Sequence, residues 1–347
     1  MAVPGGGAAR LEALLRRHWW RERATWLAMA LTPFSLVFAS LAALSRAVWK
    51  AGLRRPERAP VPVVVIGNIV VGGAGKTPTV VAVVRMLEAS GRTPGVVSRG
   101  HGRRAAGLVE VLADTRADEV GDEPLLIARR ARVPVMVGRR RVEAARALCA
   151  AHPEVDVIVA DDGLQHLAMA RDVEVVVFDG RGVGNGLLLP AGPLREPLAA
   201  ARGRLVLYNA AGRSTPLPGA IAVRRLGSAV PLASWAAGHG AGALPLASLR
   251  GRPLLAAAGI AEPERFFRML EAEGLAIDRL PLPDHHAYRA IPWPPGTADV
   301  LVTEKDAVKL SPALTGATRV WVVGLDFALP DDFMFDLLTR LGSVRTP

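Results

Sequence analysis

The chain of 347 residues has one cysteine, Cys149, and few aromatic side chains. A single cysteine excludes an intramolecular disulfide and a cysteine-rich metal site, and it fits a reducing compartment. Phe, Trp and Tyr together make up 5% of the residues, so the stacking surfaces that bind single-stranded nucleic acid are scarce. Acidic residues are also outnumbered, because 32 Asp and Glu oppose 43 Lys and Arg and leave a net charge of +11.

The excess of positive charge is mostly arginine, a side chain that forms bidentate pairs with phosphate. A coding bias towards Ala, Arg, Gly and Pro would explain it without any function. Otherwise it favours an anionic partner, which is an acidic membrane surface, a phosphorylated substrate or nucleic acid. The shortage of aromatic residues places nucleic acid last, and we expect no nucleic-acid partner.

An uncharged stretch of 21 residues, ATWLAMALTPFSLVFASLAAL, extends from Ala24 to Leu44. It is long enough to cross a bilayer as a helix, but basic residues flank both ends, and a span would carry one basic cluster across the membrane. Pro33 also disfavours a straight helix. We therefore expect the segment to dip into the membrane from one side, with both flanks on the anionic leaflet. A cleaved signal peptide and an ordinary buried helix are the alternatives.

From Pro60 onwards, short apolar runs alternate with helical stretches and glycine-rich turns. This pattern predicts an α/β fold: a P-loop NTPase-like, mainly parallel sheet with helices on both faces. A Gly/Ala/Ser-rich stretch near Gly227–Ala247 indicates a boundary before a smaller C-terminal α/β unit. We expect three parts, with residues 1–55 forming the membrane-associated helical segment, residues 56–226 the P-loop core and residues 227–347 the smaller unit.

The sequence VVVIGNIVVGGAGKTP places a glycine-rich loop between the predicted strand Val63–Ile66 and a predicted helix. Its end, Gly75–Thr77, is typical of a P-loop, in which backbone N–H groups surround nucleotide phosphates. The usual spacing requires a glycine where this chain has Val70. We expect Gly72 and Gly73 to adopt the unusual dihedral angles instead. A glycine-rich turn with a chance lysine is the alternative.

In this interpretation the loop binds the β- and γ-phosphates of a nucleotide, Lys76 neutralises phosphate charge, and the Thr77 hydroxyl ligates Mg²⁺. The expected nucleotide-binding residues, which the family resemblance described below assigns to ATP, are Val70, Val71, Gly72, Gly73, Ala74, Gly75, Lys76 and Thr77. A second acidic element follows the predicted strand Val155–Ala160, where Asp161 and Asp162 lie at the carboxyl end of the sheet. Two adjacent carboxylates there can divide metal binding and catalysis between them, although Asp-Asp-Gly is also good turn chemistry.

Two further motifs contain titratable residues. The sequence EVGDEPLLIARR places Asp122 and Glu123 before a proline-started helix, and taken alone these residues favour an ordinary helix cap. The sequence LPDHHAY places His285 and His286 in a loop, where one imidazole could act as the partner of a base. Two histidines without a third ligand at metal spacing make a weak zinc site.

Taken together, these motifs resemble the tetraacyldisaccharide 4'-kinase (lipid A 4'-kinase) family of Gram-negative bacteria. The matching stretches come in the family's order and span nearly the whole chain: GNIVVGGAGKTP (67–78), SRGHGRR (98–104), GDEP (121–124), DDGLQH (161–166), GNGLLLPAGPLREP (184–197), PDHHAY (283–288) and TEKDAVKL (303–310). The family's loop resembles a P-loop without its first glycine, which accounts for Val70. The family more often has hydroxyl residues at Val70 and Ala74, and aromatic residues at Leu164 and His101.

The resemblance implies transfer of the ATP γ-phosphoryl group to the 4'-hydroxyl of a tetraacylated glucosamine disaccharide 1-phosphate, with Mg²⁺ present, in lipid A biosynthesis. It replaces the helix-cap interpretation of Asp122 with that of a general base, which His285 would orient or whose pKa it would tune. The implied catalytic residues are Asp122, His285, Lys76 and Asp162, and the implied metal ligands are Thr77, Asp161 and Glu123. The residues implied to bind the disaccharide headgroup or to complete the site are Asn185, Arg195 and Glu196.

An acylated substrate resides in a membrane, so the resemblance also implies attachment to the cytoplasmic face of the bacterial inner membrane through the N-terminal apolar segment. The expected partners are the lipid disaccharide and the anionic membrane surface, and no obligate protein partner is evident. The rival hypotheses are another membrane-associated P-loop NTPase and a scaffold that merely binds nucleotide. A guanine-reading N-K-x-D motif is absent after the last core strand, where the chain reads LVLYNAAG.

Overall fold

The computed structural model describes residues 6–342 and contains two sheets. The first sheet has eight strands in the order β3-β4-β2-β5-β1-β6-β7-β8. All neighbouring strands in it are parallel except β3 and β4. Its strands are β1 (Val63–Gly67), β2 (Pro94–Ser98), β3 (Val109–Glu110), β4 (Val135–Val137), β5 (Val157–Asp161), β6 (Val173–Asp179), β7 (Leu205–Asn209) and β8 (Ala220–Ile221).

The second sheet has five strands in the order β11-β10-β12-β13-β9, and only β9 is antiparallel to its neighbour. Its strands are β9 (Val223–Pro231), β10 (Leu254–Ala258), β11 (Ile277–Pro281), β12 (Asp299–Thr303) and β13 (Arg319–Ala328). It forms the centre of the smaller C-terminal α/β unit.

Helices connect the strands and cover the sheets. The α-helices are α1 (Gly6–Trp19), α2 (Trp26–Lys50), α3 (Lys76–Ala89), α4 (Ala117–Val120), α5 (Asp122–Ala131), α6 (Arg141–Ala151), α7 (Leu232–Ala236), α8 (Pro263–Ala272), α9 (Glu304–Ala307) and α10 (Asp331–Gly342). Single 3₁₀ turns occur at Leu198–Ala201, Leu246–Leu249 and Pro312–Leu314.

Burial on both faces of the first sheet explains why its strands are continuous apolar runs. Val64 and Ile66 of β1 pack into one core cluster with α3 and α5, whereas Val63 and Val65 pack into a second cluster with α6. Because neighbouring residues of a strand point to opposite faces, a sheet covered on both faces requires apolar residues throughout. The predicted α/β fold with a mainly parallel, doubly covered sheet is confirmed.

The apolar N-terminal segment forms α2, which continues through Pro33. It is long and apolar enough to cross a membrane by length and composition. Only Ala28 and Ser35 of this helix are buried, while large side chains such as Phe34 and Leu41 are more than 60% exposed. An ordinary buried helix is therefore excluded, and α2 is a candidate for membrane association. Whether it dips or spans stays a prediction.

The division into three parts also stays a prediction, and sheet membership refines it. The expected boundary at 226/227 lies within β9, which pairs with β13 of the second sheet on both sides of a register shift at Gly227 and Ser228. The chain therefore passes between the sheets at Ala222, just after β8. The last helix, α10, returns to the first sheet, where Phe333 and Leu337 join the core beside β6 and β7.

Candidate active site

The phosphate loop connects the buried strand β1 to α3. Gly72 and Gly75 adopt positive φ angles of 91° and 86°, whereas Gly73 does not. The expectation that Gly72 and Gly73 share the unusual dihedral angles is therefore confirmed for Gly72 and wrong for Gly73, with Gly75 taking that role. Gly75 is also required sterically, because a Cβ there would overlap the side-chain amide of Asn209.

The absent first glycine has a structural explanation. Val70 is completely buried, and it forms an isolated antiparallel bridge with Leu194. The backbone N–H of Val71 donates to the Pro193 carbonyl at 2.8 Å. The first half of the loop is thus held by backbone hydrogen bonding to residues 193 and 194, and the N–H of Val71 is not available to a ligand. Of the expected nucleotide-binding residues, Gly72, Gly73, Gly75, Lys76 and Thr77 line the cavity described below, and their contact with phosphate stays a prediction.

Lys76 is the first residue of α3, and its side chain is 11% exposed. Its Nζ lies 3.3 Å from Asp162 Oδ1 and 3.3 Å from Asn68 Oδ1. Arg195 approaches the other oxygen of Asp162 at 3.8 Å. Burial opposes ionisation of Asp162, but the charges of Lys76 and Arg195 outweigh it and lower the pKa of this carboxyl group.

Asp161 lies beside Asp162 in a different environment. Its carboxylate is buried, one oxygen accepts a hydrogen bond from Ser98 Oγ at 3.0 Å, and the other has no partner. Burial raises the pKa of Asp161 to about 7, and the negative charges of Glu123 and Asp162 add to the rise. A buried, unpaired carboxylate oxygen among other acids is a site that favours a cation.

Asp122 begins α5, and its carboxylate faces the C-terminal unit rather than the helix. Its Oδ2 lies 3.0 Å from His285 Nδ1 and 3.4 Å from Lys309 Nζ. Burial raises the pKa of Asp122, but the hydrogen bond from His285 and the charge of Lys309 outweigh it and lower the pKa below its usual range. Among the described residues, no helix N–H donates to this carboxylate, so the ordinary cap interpretation is not supported.

The His285 ring is held from its other side. Its Nε2 lies 3.4 Å from Lys305 Nζ, which also lies 3.5 Å from Glu123 and 3.6 Å from Asp284. The backbone of His285 has a positive φ of 58°, an uncommon conformation for a residue with a side chain. His286 points elsewhere and packs edge-on against the Tyr288 ring.

Sequence reasoning assigned no role to Lys305 or Lys309, although both stand in the quoted stretch TEKDAVKL. Lys305 lies in α9 and Lys309 two residues after its end, so the available signal was only their place in a stretch that matches the family. Four other residues that support or line the site had no role either: Ser98, Arg141, Arg224 and Arg265. Arg141 is buried and donates to the backbone carbonyls of Asp161 and Asp162 at 3.2 and 2.7 Å.

The three expected substrate-binding residues do not all lie at the cavity. Arg195 lines the cavity, but Asn185 and Glu196 do not. Asn185 uses its amide within its own loop, donating to Ala191 O at 2.9 Å and accepting from Leu187 N. Glu196 is buried and accepts from Gln165 Nε2 at 3.0 Å. In this structure Asn185 and Glu196 support the surrounding loops, and their role in substrate binding stays a prediction.

A cavity of about 820 Å³ joins these groups into one site. It lies at the carboxyl ends of the first sheet's strands, between this sheet and the C-terminal unit, which is where open α/β sheets bind ligands. Gly72, Lys76, Asp122, Asp161 and His285 all line it. The volume is in the range of sites that take nucleotides and other small ligands.

The oxygen ligands that Mg²⁺ prefers are available at this site. Among the side chains that the structure describes, no group of three or more His, Cys, Asp or Glu is already arranged around a metal position. However, Thr77, Glu123 and the partly unsatisfied Asp161 line the same cavity. Because Mg²⁺ commonly binds one or two protein carboxylates together with water and substrate phosphates, these residues fit it.

Comparison with known proteins agrees with this geometry. The family model described as Tetraacyldisaccharide-1-P 4'-kinase matches residues 27–342. The tetraacyldisaccharide 4'-kinase of Leptothrix cholodnii is 54% identical, covering 98% of this chain and 99% of the relative. That of Methylibium petroleiphilum is 56% identical, covering 96% and 95%.

A solved structure is also similar. The crystal structure of LpxK from Aquifex aeolicus in complex with ATP superposes with a TM-score of 0.76 at 25% sequence identity, covering 91% of this chain and 99% of that chain. Fold, family model and near full-length relatives all agree. The chain belongs to the tetraacyldisaccharide-1-phosphate 4'-kinase family.

Proposed function

We propose that Asp122 is the proton acceptor in the reaction of this family, the ATP-dependent phosphorylation of the 4'-hydroxyl of tetraacyldisaccharide 1-phosphate in lipid A biosynthesis. One observation carries the assignment: the Asp122–His285 pair faces the same cavity as the phosphate loop and Lys76. A sugar hydroxyl is a poor nucleophile, and a carboxylate held at the site can take its proton as phosphoryl transfer proceeds.

The neighbours of Asp122 keep it ionised and oriented. His285 and Lys309 lower its pKa, so the carboxylate is ready to accept a proton throughout the neutral range. Lys305 contacts the far nitrogen of His285 at 3.4 Å and thereby restricts rotation of the imidazole. His285 acts through Asp122 and is a positioning residue in this scheme.

On the nucleotide side, the backbone N–H groups from Gly72 to Thr77 and the start of α3 bind the phosphates of ATP. Lys76 stabilises the charge on the transferred group, and Asp162 holds Lys76 in place at 3.3 Å. Thr77, Asp161 and Glu123 would hold Mg²⁺, which supplies charge neutralisation of the phosphates when bound. Arg195, which lines the cavity 3.8 Å from Asp162, would help to bind the disaccharide headgroup or complete the site.

The proposed location is the cytoplasmic face of the inner membrane, because ATP is available there. α2 contributes exposed apolar side chains, and arginines such as Arg17 and Arg54 flank it to contact anionic lipid headgroups. A helix of 25 residues extends about 37 Å, so its length permits either a dip or a tilted span.

The proposal is tested by transfer of label from γ-labelled ATP to purified tetraacyl disaccharide 1-phosphate in detergent micelles. Wild-type protein is expected to label the lipid, and Lys76→Ala and Asp122→Ala to lose at least about two orders of magnitude in rate. Asp118→Asn, an exposed acid in the neighbouring helix α4, is the matched control and should retain activity. A folded wild-type protein that binds ATP but labels no lipid would refute the proposal.

A further inference from the structure

Two arginines of the C-terminal unit approach the phosphate loop from the side away from Asp162. Arg224 lies on β9 and Arg265 on α8, and both line the 820 Å³ cavity. Arg265 Nη2 donates to the Asn209 carbonyl at 3.2 Å, and Arg224 donates to both the carbonyl and the side-chain oxygen of Asn209. Asn209 in turn donates to Ala74 O of the phosphate loop at 2.9 Å.

Neither of these two arginines has a carboxylate within ion-pair distance among the side chains that the structure describes. The acids whose charge reaches them are Asp179 and Glu262, and both acids are paired with Arg181. Burial, together with the charge of Arg265, lowers the pKa of Arg224 to about 9. Two half-buried guanidinium groups that line a cavity and lack an ion-paired carboxylate can bind an anion.

Sheet order indicates which part of the nucleotide they meet. β5, which ends in Asp161, flanks β1 on one side, and β6 and β7 lie on the other. The transferred phosphoryl group must lie near Asp122, Lys76 and Asp162, on the β5 side. A nucleotide held by the loop in that direction would extend its remaining phosphates towards β6 and β7, and Asn209, which both arginines contact, ends β7.

From this arrangement, which rests on the proposed function, we propose that Arg224 and Arg265 bind the non-transferred α- and β-phosphates of the nucleotide. They would hold the ADP leaving group, on which negative charge accumulates as the bond to the γ-phosphorus breaks. Because both arginines belong to the second sheet's unit, nucleotide binding would also fasten that unit to the phosphate loop.

A third arginine also connects the C-terminal unit to the phosphate loop, although we do not propose that it binds the nucleotide. Arg181, in the loop after β6, donates to Gly73 O at 3.2 Å and pairs with Glu262 at the start of α8 at 2.6 Å. Its guanidinium is fixed by the buried Asp179, which it contacts at 2.6 Å. α8 is therefore held close to the loop from two sides, and Arg265 is presented to the nucleotide from a fixed helix.

The test measures dissociation constants of ADP, AMP and adenosine by calorimetry, which does not depend on lipid phosphorylation. Arg265→Gln is expected to weaken the binding of ADP at least about tenfold, to weaken the binding of AMP by a smaller factor, and to weaken the binding of adenosine less than about threefold. Arg265→Lys should recover part of the ADP affinity. Arg268→Gln is the matched control, because Arg268 lies on the same helix, is exposed and does not line the cavity.

The outcomes separate this inference from the proposed function. Unchanged ADP affinity in Arg265→Gln, with wild-type protein binding ADP, would overturn the inference and leave the kinase reaction standing. An equal loss for ADP and adenosine would also overturn it, since the arginine would then contact the base or ribose. A wild-type protein that binds no ADP would overturn both. Arg224→Gln with an intact thermal transition should reproduce the ADP-selective loss.

Discussion

Replacing Gly75 by alanine tests the phosphate loop at the residue where two constraints coincide. The φ angle of 86° lies in the left-handed region, where alanine costs about 1–2 kcal/mol more than glycine. In addition, the new Cβ would overlap the Asn209 amide and lie 2.8 Å from Asn209 Cγ. Asn209 cannot move away easily, because Ala74 and Arg224 hold it by hydrogen bonds.

We estimate the overlap at a further 1–3 kcal/mol or so, the usual cost of inserting an atom into a packed site. Gly91→Ala provides the matched control, because Gly91 has a φ of 81° and a Cβ there would meet no atom within 4 Å. Gly91→Ala should thus show the dihedral cost alone, and Gly75→Ala the dihedral cost plus the overlap.

The assay is the free energy of unfolding from denaturant titration, combined with the ADP dissociation constant. Gly75→Ala should lower the free energy of unfolding by about 2–5 kcal/mol and weaken ADP binding more than about tenfold. Gly91→Ala should lower the free energy of unfolding by about 1–2 kcal/mol and leave ADP binding unchanged. The double variant Gly75→Ala/Asn209→Ala should lose less than the sum of the single losses, since the overlap is removed. Equal losses in the two glycine variants would refute the steric argument.

Three further outcomes are expected. Asp299→Asn should lower the free energy of unfolding by about 1–3 kcal/mol at pH 7, because hydrogen bonds from Arg319 and Trp321 outweigh the burial of Asp299 and lower its pKa. This stabilisation is present above about pH 4 and is lost as pH falls through the folded-state pKa. Urea titrations at several pH values would measure it. Lys309→Met should raise the pKa of Asp122 and shift the acidic limb of the kcat/KM profile to higher pH. Phe34→Gln should reduce binding to anionic vesicles, measured by sedimentation, because Phe34 is 63% exposed on α2.

Each of these has its own control or contradiction. Asp278→Asn, at an exposed position of β11, should leave stability nearly unchanged, and a pH-independent loss in Asp299→Asn would contradict the ionic argument. An unmoved acidic limb in Lys309→Met would show that Lys309 does not act on the base. Phe335→Gln, at a site 70% exposed on α10, should leave vesicle binding unchanged, and equal effects at Phe34 and Phe335 would contradict a specific role for α2.

The sequence predicts the first sheet well because each of its main strands is buried on both faces. The predicted strands Val63–Ile66 and Val155–Ala160 differ by no more than two residues at either end from the observed β1 (Val63–Gly67) and β5 (Val157–Asp161). The sequence does not predict β9, because β9 is an edge strand with little burial and Gly227 interrupts it. In addition, its pairing partner β13 lies about 90 residues further along the chain. Its position depends on tertiary pairing, which local pattern does not reveal.

The candidate site likewise contains some residues that the local sequence predicts and others whose role depends on tertiary contacts. Lys76, Thr77 and the Asp161–Asp162 pair follow from a strand–loop–helix pattern that places them locally, whereas Asp122 has a local interpretation as a cap. What changes that interpretation is contact with Lys309 and His285, which come from another unit and more than 160 residues away in sequence. Asn185 shows the reverse, because its amide is consumed by its own loop, and residue type alone does not distinguish such a turn residue from a ligand.

In the proposed reaction Asp122 accepts the proton of the attacking hydroxyl. The measurement that tests this role is the single-turnover rate of phosphoryl transfer for wild type and Asp122→Asn, with ATP and lipid both saturating. We expect the rate to fall by a factor of about 10²–10⁴ with the ATP dissociation constant unchanged, because asparagine keeps the shape but accepts no proton. A rate within about threefold of wild type would contradict it, and Asp122 would then be a structural anchor for His285 and Lys309.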